Sequence, residues 1–309
     1  MRELAAAVRA EVSKVVVGQD EVIDGVLLAF ACGGHVLLEG PPGVAKTLLA
    51  RAVARTIGLD FRRAQFTPDM LPSDLTGTMI LRGGELTFRE GPVFTNLLLA
   101  DEINRTPPKT QAALLEAMQE GQVSVDTSAR KLPSPFLVIA TQNPIEYEGT
   151  YPLPEAQLDR FLVALKVGYP DAESELAMLE LPREGVSPTA LGSVRQVASA
   201  SDLSSARQGV GAVQVGAPVA SYIIEVVRRT RELPSVILGA SPRAAVHLLA
   251  AAQAAAALEG RTFVTPDDVA ALAPAVLAHR LVMTPDAELE GFRARDAIRV
   301  ALAEVPVPR

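Results

Sequence analysis

The eight residues Gly40-Pro41-Pro42-Gly43-Val44-Ala45-Lys46-Thr47 lie between a short apolar run, His35 to Leu38, and an amphipathic pattern from Lys46 to Ile57. Two glycines flanking two prolines can continue neither a strand nor a helix, so the segment reads as a tight loop joining one to the other. In such a loop backbone N–H groups, reinforced by the positive end of the following helix dipole, cradle phosphate oxygens. Lys46 adds a mobile charge near the β- and γ-phosphates, and Thr47 supplies a hydroxyl for magnesium. The general pattern has glycine immediately before the lysine, where this chain has Ala45. Alanine tolerates helical dihedral angles, so the helix is expected to start through it.

The first half of the chain alternates short apolar runs with helical patterns, the sequence form of a parallel sheet with crossover helices. His35 to Leu38, Leu97 to Ala100 and Phe136 to Ala140 are continuously apolar and stop at polar or glycine residues, as strands buried on both faces do. In open parallel sheets ligands bind just beyond the carboxyl ends of the strands. Gly40 to Thr47, Asp101-Glu102 and Asn143 are therefore expected at one edge. The helix from Lys46 should end at Gly58, and one from Pro107 to Glu120 at Gly121. Gly83-Gly84 supplies the positive φ angles of a hairpin between Thr78 to Leu81 and Glu85 to Phe88. A second hairpin is expected from Gln122 to Val125 with Lys131 to Pro133.

Beyond about Pro170 strand signals fade and alanine-rich helical patterns take over. Residues 1–170 read as an α/β core, 171–216 as a connecting segment and 217–309 as a helical domain. Ser199 to Gly216, rich in Ser and Gly, looks like a connection rather than an element. Ser241-Pro242 and Thr265-Pro266 mark two helix starts, each a capping hydroxyl before a proline at the first helical position.

Leu97-Leu98-Leu99-Ala100-Asp101-Glu102 ends a buried strand in two acids. One carboxylate, Asp101, suits the metal and its water shell, and the other, Glu102, suits orientation of an attacking water. Asn143, in ATQNP, offers an uncharged amide that can bond both a γ-phosphate oxygen and that water. Arg160, in QLDRF, and Arg243, in ASPRA, are candidates for stabilising the charge that spreads over a transferring phosphoryl group.

Composition narrows the partners. The 309 residues carry 29 Lys and Arg against 36 Asp and Glu, a net charge of -7, and aromatics are 4% with no Trp. Neither a general electrostatic attraction to nucleic acid nor many base-stacking platforms are present, so no nucleic-acid partner is expected. The single cysteine, Cys32, cannot form an internal disulfide, and charges interrupt the first twenty residues. A reducing, cytoplasmic setting with no membrane anchor is the expectation. The three histidines, His35, His247 and His279, sit in no recognisable nucleophile motif and read as structural.

Taken together, GPPGVAKT, FTPDMLPSDLTG, LLLADEINRTPPKTQAALLEAMQE, ATQNP, LPEAQLDRF and GASPRA resemble the AAA+ ATPases, in detail their MoxR family, over nearly the whole chain. The resemblance implies a P-loop core with strand order 5-1-4-3-2 and a C-terminal all-helical lid that closes over nucleotide. It implies ATP as substrate with Mg2+, Val17 and Gly18 at the adenine, Gly40 to Thr47 as Walker A, and Asp101 and Glu102 as Walker B. Asn143 would be sensor 1 and Arg243 sensor 2, and Arg160 the finger reaching the neighbouring subunit, with Arg105 as an alternative finger. The two hairpins match the helix-2 and pre-sensor-1 inserts of that clade. A ring, normally a hexamer, follows, with a von Willebrand factor A domain protein as the implied partner. Three readings remain open at this point: a chaperone-like remodelling ATPase, the ATPase subunit of a metal chelatase, and a nucleotide-switched scaffold.

Overall fold

The computed structural model describes residues 1–309 except 126–127, 144–149, 185–186, 189 and 309. The chain begins with α1 (Arg2–Val12) and α2 (Asp20–Cys32), enters β1 (Val36–Glu39), and passes the glycine loop into α3 (Lys46–Ile57) and β2 (Phe61–Gln65). Then come α4 (Pro72–Thr76), the hairpin β3 (Gly77–Arg82) and β4 (Glu85–Glu90), β5 (Leu97–Asp101) and α5 (Pro108–Glu120). A second hairpin, β6 (Gln122–Val125) and β7 (Ser128–Lys131), precedes β8 (Leu137–Gln142), α6 (Glu155–Leu158) and β9 (Val163–Lys166). The remainder comprises α7 (Ala172–Leu179), β10 (Arg183–Glu184), β11 (Ser187–Pro188), α8 (Ala200–Gly211), α9 (Ala217–Arg229) and β12 (Val236–Leu238). It ends with α10 (Pro242–Leu258), α11 (Pro266–Leu277), β13 (Val282–Met283), α12 (Pro285–Leu289) and α13 (Ala294–Glu304).

Five strands pair in parallel in the order β2-β5-β8-β1-β9. Counted in chain order among themselves and read from the β9 edge, they run 5-1-4-3-2, as the sequence resemblance implies. The apolar runs are buried on both faces. Leu97 and Leu99 of β5 join one core with Val36, Leu38 and helices α1 to α3, while Leu98 and Ala100 join another with Leu37, Val138 and α5. All four β5 side chains are fully buried. Alternation with period two sends successive residues to opposite faces, so a strand between two helical layers has to be apolar throughout.

Helix ends follow the local chemistry. Gly58 and Gly121 cap α3 and α5 in the left-handed conformation, where a Cβ would be strained. Thr265 and Ser241 accept hydrogen bonds from the N–H groups of Asp268 and Ala244, as N-caps do. Gly83 and Gly84 take φ of 62° and 89° at the tip of the β3–β4 hairpin.

Three expectations need correction. The second hairpin pairs β6 with Ser128–Lys131, not with Lys131 to Pro133. One further bond in the same register, Leu132 N–H to Gly121 O, follows the last pair, and Pro133 has no N–H to continue it. Ser199 to Gly216 is not a bare connection: most of it forms α8. Ser199 and Asp202 form a reciprocal capping box, and Leu203 and Val210 are buried against the α2–α10 layer, so packing overrides the Ser/Gly-rich composition. Segment 171–216 therefore contributes α7 and α8 to the fold. The C-terminal region, expected to be all helical, also holds the short antiparallel pair β12–β13.

His35 ties this core together. Its Nδ1 accepts the Val138 N–H at 3.1 Å, and its Nε2 faces Met118 O at 3.2 Å as a donor, which fixes the neutral tautomer. Burial pulls its pKa down to about 4. Burial, aided by nearby Arg280, pulls His247 to about 4 and His279 well below its usual range. In the unfolded chain each histidine takes up a proton near pH 6.5, whereas in the folded chain it does not until well below that, so the unfolded state binds more protons in this window. Stability should therefore be full above about pH 6.5 and fall toward pH 4, by at most about 1.4 kcal/mol per pH unit per histidine. Urea denaturation at pH 7 and pH 5 checks this, and His35→Gln should show the smaller loss.

Candidate active site

The glycine loop leaves β1 at a point of close backbone approach. A Cβ on Gly40 would meet Val167 O at 2.2 Å, and Gly40 N–H donates to Gln142 O, so no other residue fits there. Gly43 has a φ of 85° with open space where a side chain would be. Helix α3 then begins with no side-chain cap at Ala45 and no acid in its first turn. Lys46 Nζ donates to Gly40 O at 2.5 Å across the loop.

Ala45 corrects the sequence expectation. It is not a helical residue but the N-cap, in the left-handed region at φ 62° and ψ 18°. That explains why glycine is the usual occupant of the position. Among the described residues only Ala45 and Glu102 combine a side chain with positive φ, and the two lie in the two main motifs.

Beside the loop lies a cleft of about 340 Å³ lined by Val15, Val17, Gln19, Gly43, Val44, Ala45, Leu48, Tyr169, Pro170 and Met178, among others. Its walls are largely apolar and suit a flat heterocycle. Val17 lines it. Gly18 is not in its lining; a Cβ there would lie 2.6 Å from Ser174 Oγ. Gln19 Nε2, also in its lining, donates to Gly168 O at 2.9 Å. Leu48, Tyr169 and Met178 went unnoticed in the sequence, since nothing local marks them as neighbours of the loop.

At the end of β5, Asp101 and Glu102 diverge because Glu102 turns into the left-handed region at φ 59°. Asp101 Oδ1 accepts the Thr141 hydroxyl at 2.6 Å, and Thr141 Oγ1 in turn accepts the Glu102 N–H at 2.9 Å. Asp101 Oδ2 accepts two N–H bonds from Arg63, at 2.9 and 2.7 Å. Gln65 Nε2 donates to Glu102 Oε2 at 2.7 Å, and Arg105 Nε lies 3.1 Å from the same oxygen. Thr141, Arg63 and Gln65 are thus site residues that motif reading missed; only Thr141 had a local signal, inside ATQNP. Asn143 follows β8 directly and is buried. Residues 144–149 after it are outside the described residues.

The segments carrying Arg160 and Arg243 meet at a seam between the core and the C-terminal helices. Asp159, beside Arg160, accepts the Ser241 hydroxyl at 3.0 Å and Arg280 Nε at 2.7 Å, and lies 4.0 Å from Arg243 Nε. Arg280 is buried and also donates to Phe161 O at 2.6 Å. The segment carrying Arg160 is thereby clamped to the helix start that carries Arg243. Arg105, by contrast, is paired with Glu102 of its own chain.

These donors fit a magnesium–nucleotide ligand. Thr47 and Asp101 carry hard oxygens of the kind magnesium takes, and the uncapped start of α3 is of the kind that binds phosphate.

Residues 35–163 match the family model described as ATPase family associated with various cellular activities (AAA), and residues 228–299 match an AAA lid domain. The Bacillus subtilis protein YeaC is 48% identical over 96% of this chain and 92% of its own. Chaperone MoxR1 of Mycobacterium tuberculosis is 45% identical over 97% of this chain and 81% of its own. A crystal structure of a Cytophaga hutchinsonii protein superimposes with a TM-score of 0.92 at 44% identity, covering 100% of this chain and 96% of the other.

The strain at Ala45 is directly measurable. Ala45→Gly should raise the unfolding free energy by about 1 kcal/mol, because glycine adopts positive φ without the Cβ clash. A β-branched Ala45→Val should lower it by more, and urea denaturation of the three proteins reads both.

Proposed function

The chain belongs to the MoxR family of AAA ATPases, and from that premise we propose that it is the subunit of a ring whose shared sites couple ATP hydrolysis to remodelling of a partner protein. In this reading residues 1–170 form the nucleotide-binding core, 171–216 bracket it, and 217–309 are the lid. ATP phosphates take the N–H groups of Gly43 to Thr47 and the Lys46 ammonium, and the base enters the cleft past Val17. Thr47 and Asp101 would hold magnesium, which when bound offsets the negative charge of the β- and γ-phosphate oxygens. Glu102 orients and deprotonates the attacking water once Gln65 and Arg105 release its carboxylate. Asn143 donates to a γ-phosphate oxygen, and Arg243 closes from the subunit's own lid.

Arg160 acts across the interface. Its competitor Arg105 is engaged by Glu102 in cis, which favours Arg160 as the finger. A finger that must come from a neighbour implies a ring, for which a hexamer is the proposed size. The observation that carries the reading is Asp101-Glu102 ending a strand buried on both faces, at the same edge of the sheet as a helix N-terminus with no side-chain cap. The remodelling role rests on the relative named a chaperone, and a von Willebrand factor A domain protein is the proposed partner by resemblance alone. No helix in the described residues is long and apolar enough to cross a membrane; the proposed compartment is the cytoplasm.

Two outcomes follow. Glu102→Gln should keep nucleotide affinity and lose turnover, read by binding and phosphate-release assays on one preparation; undiminished turnover would remove Glu102 from its role. Specific activity should rise with protein concentration and fall about 10³-fold or more in Arg160→Ala. Mixing that variant into wild type should depress activity more than dilution does, whereas a purely proportional loss would place the finger elsewhere.

A further inference from the structure

Strand β2 is the edge of the sheet and reads Phe61-Arg62-Arg63-Ala64-Gln65. Charge on an edge strand discourages pairing with another chain, and either arginine would serve for that. Arg62 does little more: its Nη1 donates to Gly91 O at 3.0 Å. Arg63 is different. Alternation along the strand puts it on the same side as Gln65, and both of its contacts lead to the two acids at the end of β5.

Its Nε and Nη2 converge on a single atom, Asp101 Oδ2, at 2.9 and 2.7 Å. The other carboxylate oxygen is already held by the Thr141 hydroxyl. Nη2 also reaches Gln65 Oε1 at 2.6 Å, so the amide of Gln65 presents its NH2 to Glu102. The guanidinium therefore neutralises one acid and fixes the residue that holds the second. The Arg63 side chain is 48% exposed, against 10% for Asp101. An ion pair that open adds at most about 1 kcal/mol to stability. Structural support does not by itself account for two short bonds on one carboxylate oxygen.

We propose that Arg63 is the resting counter-ion of Asp101, a positioning residue that the metal–nucleotide complex must displace, and that it thereby sets how strongly metal and nucleotide binding are coupled. The inference rests on the assignment of Asp101 as the residue holding the metal's water shell. With Arg63 present, part of the attraction between Asp101 and a divalent ion is spent on breaking an existing ion pair. Without it, Asp101 faces the metal with its full charge, and Gln65 loses the donor that orients it.

The test compares the affinity of a non-hydrolysable ATP analogue in excess Mg2+ and in EDTA, by calorimetry near 0.15 M salt, and takes the ratio. In Arg63→Ala that ratio should rise about three- to tenfold over wild type. Arg63→Lys, which keeps the charge, should stay within about twofold of wild type. Arg62→Ala, which removes the same charge from the other side of the same strand, should leave the ratio unchanged. An unchanged or lowered ratio in Arg63→Ala overturns the inference, as does an equal rise in Arg62→Ala, which would mean a general field effect. A wild-type ratio of one removes the metal assignment of Asp101 and this inference with it. Because Arg63 is half exposed, Arg63→Ala should melt like wild type, which keeps folding out of the comparison.

Discussion

The fixed position of β5 is the constraint on which the site depends. Four consecutive side chains, Leu97 to Ala100, are removed from water on alternating faces, and at roughly 25 cal/mol per Å² such burial is worth a few kcal/mol per leucine. Neither a one-residue slip of register nor a tilt of the strand keeps all four buried. The next residues, Asp101 and Glu102, consequently emerge at one height on the sheet edge. Thr141, one strand over, then bonds both of them, its hydroxyl to Asp101 and its oxygen to the Glu102 N–H. A rigid apolar strand thus aims two charged groups without any flexible joint between them.

Backbone strain is concentrated in the same place. Ala45 caps the helix that follows the glycine loop and Glu102 follows the acidic strand's end, and both hold positive φ with a Cβ present. Each conformation costs on the order of 1 kcal/mol or more and is maintained by the packing around it. At Glu102 the cost has a visible return, since the turn separates its carboxylate from that of Asp101 and brings it to Gln65 and Arg105. At Ala45 the turn exposes the first N–H groups of α3.

A second set of interactions joins the core to the lid. Asp159 accepts from Ser241 and Arg280, so the residues next to Arg160 and Arg243 are linked through one carboxylate. Arg280 is buried, and removing its partner would leave an uncompensated charge, which makes this seam specific as well as stable. Burial lowers the pKa of His247 and His279 in the same seam and keeps them neutral, so they pack there without adding to the positive charge.

Much of this was legible in the chain itself. The loop, the two acids and the helix from Lys46 to Ile57 follow from local rules: glycine and proline punctuation, the period of apolar residues, and the chemistry of the last residue in each run. The edge strand β2 was not legible, because a strand with one neighbour and exposed arginines shows no apolar run. Nor was α8, where Ser and Gly suggested a loop until Leu203 and Val210 found a surface to cover. The sequence alone marked the residues proposed for phosphate, metal and water chemistry, because those functions require particular groups at fixed short spacings. Only the tertiary structure decided that Ala45 is left-handed, that Arg63 and Gln65 hold the acids, and that Arg280 clamps Asp159. Those contacts join residues 37 to 121 positions apart or depend on a backbone angle, and no local pattern records which distant side chains a folded sheet brings within 3 Å.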